Sequence, residues 1–108
     1  MIVRLIGSDT LSDAGYEVIE AATADEALQI LERHGDVEVL FTDIRMPGSM
    51  DGLELARVVH ARWPAMKILI TSGDTFPPRG AIADNGRFLP KPYSTEILRR
   101  EVDNLLKG

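Results

Sequence analysis

Short apolar runs alternate with amphipathic stretches along most of this sequence, which confines it to βαβ units around a parallel sheet. Residues 16–21 (YEVIEA) read as a strand. Thr23 with Glu26 three residues on forms a capping box, and Ala27, Leu28, Ile30 and Leu31 make the apolar stripe of the helix it opens. Gly35 stops that helix. Residues 37–41 (VEVLF) form a buried parallel strand that runs into Thr42-Asp43. After the breaker-rich turn Met46-Pro47-Gly48-Ser49, Asp51 and Glu54 repeat the capping pattern ahead of a helix over 53–62. Trp63-Pro64 ends it, because the residue before proline avoids the helical region.

Residues 66–71 (MKILIT) give the next strand, followed by Ser72-Gly73-Asp74. Pro77-Pro78, Gly80 and Gly86 leave segment 75–86 room only for a short irregular helix around 81–84. Residues 87–89 form a last strand. Ser94 or Thr95 caps a final helix through Leu106, with Ile97, Leu98, Val102, Leu105 and Leu106 on its inner side.

The opening is ambiguous. Val3, Ile6, Leu11 and Ala14 have the spacing of one helix face, and Gly15 sits where that helix would stop. The competing reading makes residues 2–6 a strand. It leaves about nine residues before Tyr16, fewer than the ten to twelve of a parallel crossover with its helix. The helix reading is preferred, and the sheet is then expected to hold four strands.

Composition excludes several classes of function. The 108 residues amount to one domain, 1–108, able to bury a core without staples. Cysteine is absent, so disulfides and thiolate metal sites are excluded and a reducing compartment is implied. Twelve Lys and Arg against seventeen Asp and Glu give a net charge of −5, which argues against direct nucleic-acid binding. No apolar run approaches the ~20 residues of a membrane span, and no signal peptide is legible, so a cytoplasmic location is expected.

Three strand ends deliver polar groups to one edge. Asp43 ends the VEVLF run, Thr71 ends MKILI, and Lys91 follows Arg87-Phe88-Leu89. Open parallel sheets bind ligands outside the carboxyl ends of their strands. A carboxylate, a hydroxyl and an ammonium gathered there suit phosphoryl transfer. The carboxylate attacks phosphorus, the ammonium neutralises the phosphoryl oxygens, and the hydroxyl donates to them on arrival.

FTDIRMPGSMDGLEL, ITSG and FLPKPY, in this order, resemble the signature elements of response regulator receiver domains, which are CheY-like. The separations of 28 residues from Asp43 to Thr71 and 20 from Thr71 to Lys91 also fit. The resemblance implies a flavodoxin-like, doubly wound α/β fold and a phosphoacceptor role in a bacterial two-component system. Phosphoryl groups would come from a sensor histidine kinase or a phosphotransfer protein. By the same resemblance, Asp43 is the phospho-acceptor, Thr71 the switch hydroxyl and Lys91 the family lysine, with a cis peptide at Lys91-Pro92. Phe88 occupies the position of the aromatic that reports phosphorylation to the outer face; its plainer reading is a core residue. Mg²⁺ is the implied cofactor, held by Asp43 and the backbone carbonyl of Arg45.

Two departures stand out. The family's first strand ends in an acidic pair that holds the metal, and this sequence shows no such pair. The opening VRLIGSDTLSDAGYEV looks instead like the family's first helix, so the strand is expected to be missing and the chain to be N-terminally truncated relative to the family. Ser8-Asp9 substituting for the pair is the lesser alternative; Asp9 and Asp13 otherwise read as solvated. The second departure is the proline-rich segment 75–86, where the family has a regular helix.

A sheet without its first strand exposes two inner edges, so a homodimer or segment exchange that fills the gap is expected. Each unit like-charge pair at about 4 Å costs about 4 kcal/mol at a dielectric near 20, and Lys91 supplies one compensating charge. Weak Mg²⁺ binding and slow phosphorylation follow.

Two rival functions conflict with particular residues. A haloacid-dehalogenase-like phosphatase wants a second Asp where Arg45 stands. A histidine phosphotransfer bundle, prompted by His34 and His60, conflicts with the strand-like runs, and both histidines read as solvated. The remaining alternative is a phosphorylation-impaired receiver fold serving as a protein-binding or dimerisation module.

Overall fold

The computed structural model describes residues 2–5, 15–45, 50–73 and 86–107. Among the described residues, five strands and three helices follow one another as β1 (Ile2–Leu5), β2 (Val18–Ala21), α1 (Ala24–Arg33), β3 (Val39–Asp43), α2 (Gly52–Arg62), β4 (Lys67–Ser72), β5 (Gly86–Pro90) and α3 (Thr95–Lys107). All pairings are parallel, and the strand order is β2-β1-β3-β4-β5. This is the flavodoxin-like doubly wound order, with its switch point between β1 and β3.

The expected missing strand is therefore corrected. Residues 2–5 form the central strand, every one of them buried, with Ile2 opposite both Val18 and Val39. The sequence argument failed on a boundary. β2 begins at Val18 rather than 16, so residues 6–17 separate it from β1, enough for a crossover. Burial on both faces also rewards the run IVRL more as an inner strand than as a surface helix. The sheet has five strands, not four, and no inner gap is left to recruit a second copy. The residues expected to carry the rest of that helix, with Ser8, Asp9 and Asp13, lie outside the described residues, as do the short helix expected around 81–84 and the turn expected at 46–49.

Alternate strand residues face opposite layers. Val3, Leu5, Leu40, Ile68 and Ile70 pack with Ala27, Leu31, Leu55 and Val59 from α1 and α2. Ile2, Val39, Phe41, Leu69 and Leu89 pack with Leu98, Val102 and Leu105 from α3. Burying apolar side chains on both faces stabilises by roughly 1.5–3 kcal/mol per large residue, and this is what holds the layers together.

The helix ends follow the predicted capping. Thr23 accepts from the Glu26 amide at 3.2 Å and Asp51 from the Glu54 amide at 2.9 Å. Ser94 is the cap of α3, accepting from the Ile97 amide at 3.1 Å. Trp63 caps the end of α2 with the Arg62 guanidinium 4.5 Å above its ring. Two inner assignments and one solvated one need correction. Ile97 and Leu106 are exposed, because the α3 stripe narrows to Leu98, Val102 and Leu105. His60 is partly buried on α2, whereas His34 is exposed as expected.

Candidate functional site

The C-terminal ends of β3, β4 and β5 lie side by side beside the switch point. Parallel register sets Asp43 opposite Thr71, and Thr71 opposite Leu89. Ladder bonds continue past the strands: the Ile44 amide donates to the Thr71 carbonyl at 3.0 Å and the Lys91 amide to the Ser72 carbonyl at 2.9 Å. Lys91 is thereby held at the rim, and the peptide that follows it, Lys91-Pro92, is cis as expected.

The structure brings Asp43 and Lys91 into direct contact. The Lys91 ammonium donates to Asp43 Oδ2, with the lysine side chain 42% exposed and the carboxylate 15%. The Asp43 carboxylate is thus partly exposed at the end of a buried strand, beside a cation whose charge favours an approaching anion.

Thr71 is at the same rim but makes a different bond. Its buried hydroxyl donates to the Leu89 carbonyl at 2.6 Å, joining β4 to β5. Phe88 is half-buried against the core on the α1–α2 side, opposite Ile70 in register. Arg45 is exposed two residues past Asp43.

Three features were not read as functional in the sequence. Gly52, the first residue of α2, lies so close to β3 that a Cβ there would overlap the Asp43 carbonyl oxygen. Its amide donates to the Ile44 carbonyl at 2.8 Å. The only advance signal was the pair Asp51-Gly52, legible as a cap but not as a close approach.

Tyr93 follows the cis proline. Its ring meets Phe41 edge-on with centroids 6.3 Å apart. Burial raises its phenol above the ordinary 10.0; Lys91 opposes that shift, Asp43 adds to it and Arg4 opposes it. Arg4 itself, in the middle of β1, is 2% exposed and ion-paired with Glu20, its register partner on β2. No sequence rule anticipates an arginine inside a central strand.

Among the described residues, no group of three His, Asp or Glu side chains is arranged to hold a metal, and the Asp43 carboxylate is engaged by Lys91. The described residues alone do not make a Mg²⁺ cage. Nor is any helix among them long and apolar enough to cross a membrane.

Comparison with known proteins follows the same lines. The family model for the response regulator receiver domain matches residues 1–103. The chain is 39% identical to part of the sensor kinase CckA of Brucella abortus, covering 97% of this chain and 11% of that protein. It is 30% identical to a chemotaxis protein CheY homolog of Campylobacter jejuni, covering 96% of this chain and 84% of the relative. Among solved structures, a response regulator receiver protein from Sinorhizobium medicae superimposes with a TM-score of 0.88 at 26% identity, covering 99% of this chain and 94% of that one. The chain thus spans about a ninth of the first relative and most of the other two.

Proposed function

The chain belongs to the response regulator receiver domain family, and we propose that it accepts a phosphoryl group on Asp43. Receiver domains are signalling modules rather than enzymes, and they work with histidine kinases or phosphotransfer proteins. The observation that carries the proposal is the Lys91–Asp43 pair at the carboxyl edge of the sheet, next to the switch point.

The chemistry is a displacement at phosphorus. An Asp43 carboxylate oxygen bonds to phosphorus as the P–N bond of a phosphohistidine breaks, and the electron pair leaves on the imidazole, which takes up a proton. The product is an acyl phosphate. Lys91 transfers its ammonium from the carboxylate to the phosphoryl oxygens, offsetting the charge that accumulates. Thr71 exchanges the Leu89 carbonyl for a phosphoryl oxygen, which loosens β5 where Phe88 sits. Supporting this reading, the hydroxyl is on the strand adjacent to Asp43 and already directed at an acceptor on β5. Mg²⁺, when bound, would supply two further positive charges at the oxygens of phosphorus; Asp43 and the Arg45 carbonyl are the donors assigned to it, and affinity is expected to be weak.

The test is incubation with a small phosphodonor, with and without Mg²⁺, followed by intact-mass spectrometry and mapping. One phosphoryl group at Asp43, absent in Asp43→Asn, supports the proposal. An unlabelled protein that still binds a partner kinase domain would favour the second reading, a binding module that keeps the fold without the chemistry.

A further inference from the structure

We propose that Tyr93 is the positioning residue for Lys91: its ring, seated against Phe41, sets where the Lys91 ammonium meets Asp43. The inference rests on Asp43 being the acceptor. Two contacts run in step at the end of the sheet. Lys91 donates to Asp43, and Tyr93, two residues on, meets the ring of Phe41, two residues back along β3. Side chains two apart on a strand share a face, which puts Asp43 on the same α3-facing side as Phe41, roughly 7 Å further along β3. Residues 91–93 therefore reach the end of β3, even though β4 separates β3 from β5. Burial raises the Tyr93 phenol most, and the charges of Lys91 and then Asp43 act on it next, so the ring lies within the field of the pair it is argued to align.

Lys91 needs such a seat. Its side chain is 42% exposed, and an exposed ion pair is too weak to hold a flexible four-carbon stem in one geometry. The backbone has to supply the aim instead. On the near side, the Lys91 amide donates to the Ser72 carbonyl at 2.9 Å, which ties it to β4. One hydrogen bond fixes a point and leaves the direction of the following residues open. On the far side the anchor is Tyr93, half-buried and packed on the α3-side cluster that includes Phe41, Leu89 and Leu98. A tyrosine ring brings a large rigid contact area with only two torsions to fix, and its edge-on meeting with a second ring adds a direction that an aliphatic side chain lacks. Held at both ends, the short stretch presents Lys91 to Asp43 before any phosphoryl group arrives.

The experiment uses the whole chain and acetyl phosphate, reading initial rates of Asp43 labelling by mass spectrometry alongside thermal melts. In the step it reads, an Asp43 oxygen bonds to phosphorus as the P–O bond to the acetyl group breaks, and acetate leaves with the electron pair. Tyr93→Ala is expected to label at least about tenfold more slowly, since misplacing a group at the reacting centre by about 1 Å costs on the order of a hundredfold. Tyr93→Phe keeps the ring and should recover most of the rate. The decisive readout is the combination with Lys91→Ala. Added to Lys91→Ala, the Tyr93→Ala change should slow labelling by less than about twofold, because the residue it positions is already gone. A loss by the same factor in both backgrounds marks Tyr93 as a plain packing residue and overturns the inference. Equal rates for Tyr93→Ala and a parent chain that labels overturn it too, and either result leaves the acceptor role standing. Where Tyr93→Ala melts below the assay temperature, Tyr93→Leu keeps the apolar bulk without the ring and is judged by the same combination. A parent chain that takes no label at Asp43 overturns both readings together.

Discussion

The Lys91 ammonium rests on Asp43 Oδ2, joining the end of β3 to the loop after β5 across 48 residues of sequence. Because the lysine is largely exposed, the bond contributes little to folding and much to local charge. Lys91→Ala should therefore change stability by less than about 1 kcal/mol in urea unfolding. Its rate of labelling by a small phosphodonor should fall on the order of a hundredfold. Equal rates in mutant and parent would remove Lys91 from the chemistry.

Gly52 fixes the distance between α2 and the end of β3. A methyl group there overlaps the Asp43 carbonyl, which is backbone and cannot rotate aside. Gly52→Ala should lose about 2 kcal/mol and melt roughly 10 °C lower. It should also label more slowly, since Asp43 must shift to make room. A differential scanning melt that superimposes on the parent curve would contradict this.

Thr71 closes β4 onto β5 through one buried hydrogen bond. Thr71→Val keeps the shape and leaves the Leu89 carbonyl without that donor, so a stability loss of about 1–2 kcal/mol is expected in denaturant titration. Thr71→Ser should restore most of it. The Phe88 ring signals in NMR should respond to phosphodonor in the parent chain and much less in Thr71→Val.

Tyr93 predicts an alkaline transition. Its phenol is raised above 10.0, chiefly by burial, so the folded chain keeps this proton to higher pH than the unfolded chain does. The stabilisation is fully present below pH 10.0 and is lost as pH rises through the folded value. Phenolate absorbance should show one late-titrating tyrosine that Tyr93→Phe abolishes. Asp43→Asn should bring that titration earlier, because the Asp43 charge contributes to the rise.

Much of this was legible in the sequence. The caps at Thr23, Asp51 and Ser94 and the runs that became β3, β4 and β5 rest on local rules that tertiary contacts did not override, whereas the cis Lys91-Pro92 peptide was implied by the family resemblance. β1 was missed because a four-residue strand carrying arginine has no period of its own, and pairing with Val18 and Val39 decides it. At the site, residue identities announced Asp43, Thr71 and Lys91, but not which partner each would hold. Thr71 bonds to Leu89 rather than turning to Asp43, a choice set by the spacing of two strands. Gly52 was legible only as the residue after the Asp51 cap, since a close approach depends on where the helix meets the sheet.

The abutment of Gly52 on the Asp43 carbonyl also has a mechanical side. With no side chain between them to absorb displacement, α2 and the tip of β3 behave as one stiff piece. A small shift of the Asp43 backbone is therefore expected to reach Trp63, the cap at the other end of the 11-residue α2. The chain's single tryptophan is thus a built-in optical gauge for events at the opposite rim, readable without attaching any label.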